Sequence, residues 1–471
     1  MALAMVLLSA GMVTKSWAIF GLGDISYDGS LEVNGNSADN EKVFGPANDH
    51  RGETSTRVRA GMTAKVTEGV SGRVELVRDP KLYGTPATSV FTEELLWRFQ
   101  NAYVDFDDIW NFKARLGRQY VGNPRDLVWN ISPRNDDSLT TNSIDGLDVT
   151  RKWDMVTLDV FTGKAFEFDN NPARTDNVTP IGDVNLDNIQ LTFPTIIPNG
   201  SLGVGFLQGD QSNTAAVGDN NHLKIARVGA NGGLMENMIT YRAEFFQNFG
   251  QFNGGGINGS GTPTDLKYKG NAIDLGVGYN TPETQVGSFA LWGNFLQASG
   301  DDNTKDDQDK SFHDFSALGV NSSDRLLGEI FGKSNALGGG FKPLGQGLNT
   351  SDVTGTAPKS STQGQGLQVV NIGGRLKVAR MPKLWVRLDY WMFQRVKDSV
   401  NTGVTNVNVG KKFGNEYDLT IGYDHSDNVM FEGGYAQLKP DDALTGVGAT
   451  NQDTVKKLFA RAKVKWGGEE K

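Results

Sequence analysis

The feature that most limits what this chain can fold into is a strict alternation of apolar and polar residues, clearest from Gly414 to Trp466. Tyr417, Leu419, Ile421 and Tyr423 share one phase, and Glu416, Asp418 and Thr420 share the other. After the turn Asp424-His425-Ser426-Asp427, Val429, Phe431 and Tyr435 alternate with Met430 and Glu432. A last segment sets Leu458, Ala460, Ala462, Val464 and Trp466 against Arg461, Lys463 and Lys465. A period of two puts the two sets on opposite faces of a strand, each meeting a different solvent. Segments of about ten residues, charged on one face and with aromatics near the ends, fit strands that cross an outer membrane. The final segment reads as the strand that closes a barrel.

The same rhythm runs back through the chain. Ile25, Tyr27, Leu31 and Val33 alternate with Ser26, Asp28, Ser30 and Glu32, and Val58, Ala60, Met62, Ala64 and Val66 oppose Arg57, Arg59, Thr63 and Lys65. It continues through Leu95–Phe106, Phe112–Tyr120, Ser143–Trp153, Asp154–Lys164, Val184–Phe193, Ser201–Gly209, His222–Gly229 and Leu234–Gln247. Leu266–Tyr279, Gln285–Ala298, Gly366–Ala379 and Leu384–Val396 lead into the final three. Leu95–Phe106 changes face part-way, as a bulge would make it do, and Ser143–Trp153 carries acids in both phases. Short connections rich in Asp, Asn, Gly or Pro alternate with long polar ones. The reading is an all-β transmembrane antiparallel barrel of about 18 strands, with short periplasmic turns and long extracellular loops.

Composition does not oppose this. Hydrophobic residues make up 38% of the 471, but a barrel shows apolar side chains only at every second position, so bulk hydropathy misses it. No apolar run beyond the N-terminus reaches the roughly 20 residues of a membrane-spanning helix. The absence of cysteine excludes disulfides and thiolate metal sites, and a net charge of −9 argues against a nucleic-acid partner. Met1 to Val13 is small and apolar, and Ser16-Trp17-Ala18 fits a small-x-small cleavage site, although a basic leading region is missing. Residues 1–18 are therefore read as an export signal, 19–466 as the barrel and 467–471 as a tail.

The connection from Ser299 to Gln365 is too long for a bare loop in a compact domain. Ser322-Ser323-Asp324 offers a cap for a short helix carrying Leu326, Leu327, Ile330 and Phe331. Those side chains need cover, so the loop either folds over the mouth or into the lumen, or leaves a greasy patch on the surface.

Several segments resemble the alginate-export family of outer-membrane porins. Gln100-Asn101-Ala102-Tyr103-Val104-Asp105-Phe106 followed by Arg115-Leu116-Gly117-Arg118-Gln119 resembles paired strands of that family. Asp145-Gly146-Leu147 with Leu158-Asp159-Val160-Phe161, Ala298-Ser299-Gly300-Asp301, Glu416-Tyr417-Asp418-Leu419, and Gly434-Tyr435-Ala436 with Pro440-Asp441 extend the likeness over most of the chain. The resemblance implies a monomeric barrel of similar strand number that carries an anionic polysaccharide or other organic anions. Such strands usually end the protein on an aromatic, whereas Trp466 is followed by Gly467-Gly468-Glu469-Glu470-Lys471.

Catalysis finds no support. The four histidines, His50, His222, His313 and His425, are scattered and read as solvated surface residues, and no serine and histidine stand at nucleophile–base spacing. The acidic run from Asp301 to Asp309 reads either as oxygen ligands for calcium or as a solvated loop that meets lipopolysaccharide through divalent ions. No bound cofactor or metal is expected.

Lumen charge is more informative. With each polar face turned inward, Arg57, Arg59, Lys65, Arg73, Lys113, Arg115 and Arg118 line one group of strands, and Lys224 and Arg242 follow. Arg375, Lys377, Arg387, Arg395, Arg461, Lys463 and Lys465 come from strands that precede closure, so closure would gather them into one basic arc. Fewer acids face them: Glu75, Asp159, Glu244, Asp274, Asp389, Glu416, Asp418 and Glu432. Clustered Arg and Lys in a confined pore favour anions, whereas full pairing with these acids would leave only a filled interior. Trp385, Trp391 and Phe393 share the inward phase, either to stack on sugar rings beside guanidinium groups or to pack beneath the long loop. The chain is thus expected to be a bacterial outer-membrane channel for anionic solutes, an anionic polysaccharide or oligosaccharide by resemblance. The alternatives are a general or organic-acid uptake porin and a plugged barrel serving as an adhesin or structural protein. Its expected partners are the outer membrane with its lipopolysaccharide, the barrel-assembly machinery and the solute, and it is expected to be a monomer.

Overall fold

The structure, a computed structural model, describes residues 24–40, 50–83, 97–137, 139–166, 183–212, 220–253, 265–301, 307–318, 320, 327–333, 366–397, 410–441 and 453–467. The export signal, the tail after Gly467, the helix cap at Ser322 to Asp324 and the middle of the acidic run lie outside these residues. The strands are β1 (Ile25–Asp39), β2 (His50–Thr67), β3 (Val70–Tyr83), β4 (Trp97–Ile109), β5 (Phe112–Gln119) and β6 (Ile144–Lys152). Next come β7 (Thr157–Phe166), β8 (Val184–Phe193), β9 (Gly200–Ser212), β10 (Asn220–Leu234), β11 (Ile239–Asn253) and β12 (Asn271–Asn280). The last are β13 (Gly287–Ala298), β14 (Leu367–Val378), β15 (Leu384–Gln394), β16 (Lys412–Ser426), β17 (Val429–Pro440) and β18 (Val455–Gly467). Each pairs antiparallel with the next, and β1 pairs with β18 from Asp28↔Gly467 to Asp39↔Lys456, closing an 18-strand barrel. Closure removes the sheet edges, so strand N–H and C=O groups are satisfied without water.

The outer face is an apolar belt. Ile372 and Leu458 are each 60% exposed, and Phe99, Leu116, Ile189, Val277, Leu291, Leu388 and Ile421 project with them around the wall. At roughly 25 cal/mol per Å² such a face is costly in water and stable against hydrocarbon. Tyr27, Trp153, Tyr279 and Tyr423 stand exposed near the short-turn end, where an interfacial aromatic girdle belongs.

The two doubtful registers resolve locally. Glu75 pairs with Asn101 and Leu76 with Phe99, so Gln100 is a bulge residue whose amide reaches Ser143 and the Thr141 carbonyl. In β6 the acids divide: Asp148 stands opposite Arg115 in the ladder on the inner face, and Asp145 lies on the outer face with Leu147. The expected strand Leu266–Tyr279 is broken, with Asp265–Tyr268 separate from β12 and paired in parallel with Gln308–Asp309. Gly270 permits the break, because a Cβ there would collide with the Ser311 carbonyl.

Inside, the upper half of β7 to β16 is not wet. Leu186, Leu207, Leu223, Ile225, Phe246, Leu296 and Val369 point inward and are buried by two inturned segments. One follows β5 and supplies Leu127, Val128, Trp129 and Ile131; the other belongs to the long loop and supplies Phe312, Phe315, Leu318, Leu327, Ile330 and Phe331. They meet where Asp137 donates its N–H to the Lys333 carbonyl. The long loop therefore folds into the lumen, and its described residues 327–333 form a turn rather than a helix. Gly328 lets that turn lie flat on the wall: its φ is +88°, and a Cβ would sit 2.7 Å from the Glu416 carboxylate.

Candidate functional site

Most of the expected lumen cations do face inward, in three different situations. Arg57, Arg395 and Arg461 are anchors. Arg57 is 1% exposed and donates to the carbonyls of Arg134 (2.8 Å), Leu139 (3.0 Å) and Thr140 (3.2 Å) and to Glu32 (2.6 Å). Arg461 holds Glu329 (2.6 Å), Glu432 (3.0 Å) and Asp137 (3.3 Å). Arg395 is buried with its guanidinium 5.4 Å from the Phe413 ring centre.

A second group is paired but open to the lumen. Arg73 binds Asp28 (2.7 Å) and Glu75 (3.1 Å), Arg115 binds Asp105 (2.6 Å), Arg242 binds Asp274 (3.0 Å) and Arg387 binds Asp389 (2.5 Å). Glu32 is shared: Arg59 lies at 3.4 Å and Lys463 at 3.5 Å in addition to Arg57, so one carboxylate answers three cations. Tyr120 donates to Glu75 at 2.5 Å, and burial, then Glu75, push its phenol well above the usual range, so it stays a donor.

The third group is unpaired. Lys65, Arg375, Lys377 and Lys465 turn inward in the short-turn half, and among the described residues no carboxylate reaches them. Between β1 and β5, Arg59, Arg73, Arg115, Lys465, Tyr103 and Tyr120 line a lumenal pocket of about 340 Å³.

Three expectations are corrected. Arg118 does not line the pore: it pairs across the ladder with Ala102 on the outer face and holds Asp145 through two bonds of 2.9 and 2.6 Å. Lys224 likewise points out, level with Gln208 and Phe249, because its neighbours Leu223 and Ile225 occupy the inner face against the inturned loop. His313 is not solvated; it is 1% exposed, 2.8 Å from Asp309 and edge-on to Tyr268. The ends of the acidic run are also buried, Asp301 accepting from the Lys310 N–H and Asp309 from the Ser311 N–H.

The inward aromatics take the packing role at two positions. Trp391 donates to Asp418 (3.0 Å), and Phe393 stacks on Phe331 with ring centres 4.0 Å apart. Glu416 accepts the N–H groups of Ile330 (2.7 Å) and Phe331 (2.9 Å), completing the dock for the turn. Trp385 lies at the short-turn end over Gly422, its N–H 3.3 Å from Asp424. The open aromatic surface comes from Trp292, which sequence reasoning missed. Its ring centre is 5.0 Å from the Arg387 guanidinium carbon, and its N–H bonds Asp389 (3.0 Å).

No protein-family description matches the sequence, nor does any curated protein. Solved structures do. OprE (OccK8) of Pseudomonas aeruginosa superposes with a TM-score of 0.55 at 12% identity, covering 94% of this chain and 98% of its own. OpdQ of the same organism gives 0.54 at 12% identity, again over 94% of this chain and 98% of that one. OpdH (OccK5) gives 0.53 at 9%, with the same coverage. The chain has the fold of an outer-membrane porin. With its apolar belt, that fold places it in the bacterial outer membrane. At such low identity the likeness carries the fold alone, and the alginate-export resemblance gains no support from it.

Proposed function

We propose that the barrel is a passive channel for small organic anions, which enter or leave past the inward cations of β14, β15 and β18 to β5. The observation that carries this reading is the set of inward cations without carboxylate partners, Lys65, Arg375, Lys377 and Lys465, in a chain whose net charge is −9. Unpaired Lys and Arg in a confined aqueous passage lower the energy of an anion crossing it. A recess of about 340 Å³ lined by Arg59, Arg73, Arg115 and Lys465 has room for a small carboxylate. An anionic oligosaccharide is the second reading, favoured by Trp292 beside Arg387, which together offer stacking and charge to a uronate ring. The channel is expected to act as a monomer set in lipopolysaccharide. Swelling of liposomes that hold the refolded protein tests the reading. Small mono- and dicarboxylates should enter faster than neutral compounds of equal size, and charged oligosaccharides more slowly as they lengthen. Equal rates for charged and neutral solutes would contradict it.

A further inference from the structure

We infer that the lumen holds a second subsite of opposite character, which takes the protonated amine of an amino-bearing organic acid. The inference rests on the channel reading and narrows its substrate class. The site is a pocket of about 360 Å³ between the segment after β5 and the inner faces of β6 to β11. Asp148 and Asp159 line it, and among the described residues neither has an ion-pair partner. The cations within reach are committed elsewhere: Arg115 to Asp105, Arg242 to Asp274, and Arg227 to Asp126 and Gln190. Asp159 receives the Thr150 hydroxyl, at 2.8 Å.

A second observation points to a ligand. Asn188 lines the same pocket and is 5% exposed, yet among the described residues its Oδ1 has no hydrogen-bond partner. A buried acceptor left empty is costly, so an occupant that donates to it is favoured. The same wall carries the Arg227 guanidinium, held by Asp126 and Gln190, and that of Arg242, held by Asp274; the groups left open beside them, the Asp148 and Asp159 carboxylates and the Asn188 amide oxygen, are acceptors. Their complement is a group with several N–H donors and a positive charge, which a primary ammonium supplies. The rings of Trp129 and Phe161, edge-on at 5.4 Å, wall the pocket and suit a cation on an organic body.

The subsite adjoins the basic one. Arg115, which lines the basic pocket, stands directly opposite Asp148 in the β5–β6 ladder. Directly paired residues have Cβ atoms about 5 Å apart, so one small molecule can present a carboxylate to one side and an ammonium to the other.

Single-channel recordings of the reconstituted full chain, with butyrate, butylammonium and 4-aminobutyrate as blockers, test this. The expected result is a dwell time for 4-aminobutyrate about tenfold that of butyrate, equivalent to about 1.4 kcal/mol. Asp148→Asn with Asp159→Asn should abolish that advantage, and the isosteric Asn188→Asp should lengthen the butylammonium dwell. Equal dwells for butyrate and 4-aminobutyrate would overturn the inference, as would an advantage that survives the double variant. Butylammonium has no carboxylate, so its Asp148-dependent blockade in a channel that shows no preference for chloride would sink the anion reading and leave this one standing.

Discussion

Lys457 of the closing strand and Asp137 of the segment after β5 form an ion pair inside the barrel, their side chains 1% and 2% exposed. The pair joins positions 320 apart in sequence, and Lys457 also donates to the Glu329 carbonyl at 2.8 Å. One lysine thus fastens both inturned segments to the wall. Removing one partner of a buried pair costs about 3–5 kcal/mol because the other is left uncompensated. Asp137→Ala is expected to loosen both segments, raising single-channel conductance and exposing residues 121–137 to protease. Unchanged conductance and protection would show that the pair does not hold the constriction.

Phe331 is the apolar counterpart of that tether. It stacks on Phe393 at 4.0 Å and lies 5.9 Å from Phe413. Phe331→Ala should cost about 3–5 kcal/mol of docking energy. The interstrand ladder is untouched, so gel mobility of the unheated protein should stay that of a folded barrel while conductance becomes larger and noisier.

The dock also has a pH window. Burial alone would raise the Glu329 carboxyl, but Lys333, Arg461 and Lys457 more than reverse this and hold it well below its ordinary 4.5. A carboxylate with a depressed folded value stabilises the docked turn fully above the unfolded value and loses that contribution as the pH falls through the folded one. Protonation of Glu329 is therefore expected to widen the conductance only in acid stronger than about pH 4.5. In Glu329→Gln the wider conductance should already be present at neutral pH.

The two faces of the wall should respond oppositely to charge. Ile372→Arg places a guanidinium in the lipid belt at a cost of about 2–4 kcal/mol near the midplane, which urea unfolding in vesicles would show. Arg118→Ala, on the outer face beside Asp145, should leave ion selectivity as it was.

The barrel was legible because, at mid-wall, polarity reports direction: hydrocarbon lies on one side and water on the other. Tyr417, Leu419 and Ile421 against Glu416, Asp418 and Thr420 are such a case, and their register is as read. Near the long-loop end that rule lapses. Outside the belt the outer face meets water and headgroups, so Arg118, Asp145 and Lys224 sit there, while Leu223 and Ile225 turn inward onto buried loops. The sequence did carry a signal for this in Leu127-Val128-Trp129, an apolar run within a connection otherwise read as polar. Trp292 was missed because both phases of its strand are neutral, and Asn188 because the charge in its strand, Asp187, falls in the outward phase with Ile189, so charge gave no cue to the inner face.

The most direct test of the account is the reversal potential of the refolded chain in a planar bilayer under a KCl gradient. The expected result is a preference for chloride that falls when Arg375, Lys377 and Lys465 are replaced together by alanine. A preference for potassium in the unmodified channel would contradict the anion passage while leaving the barrel intact.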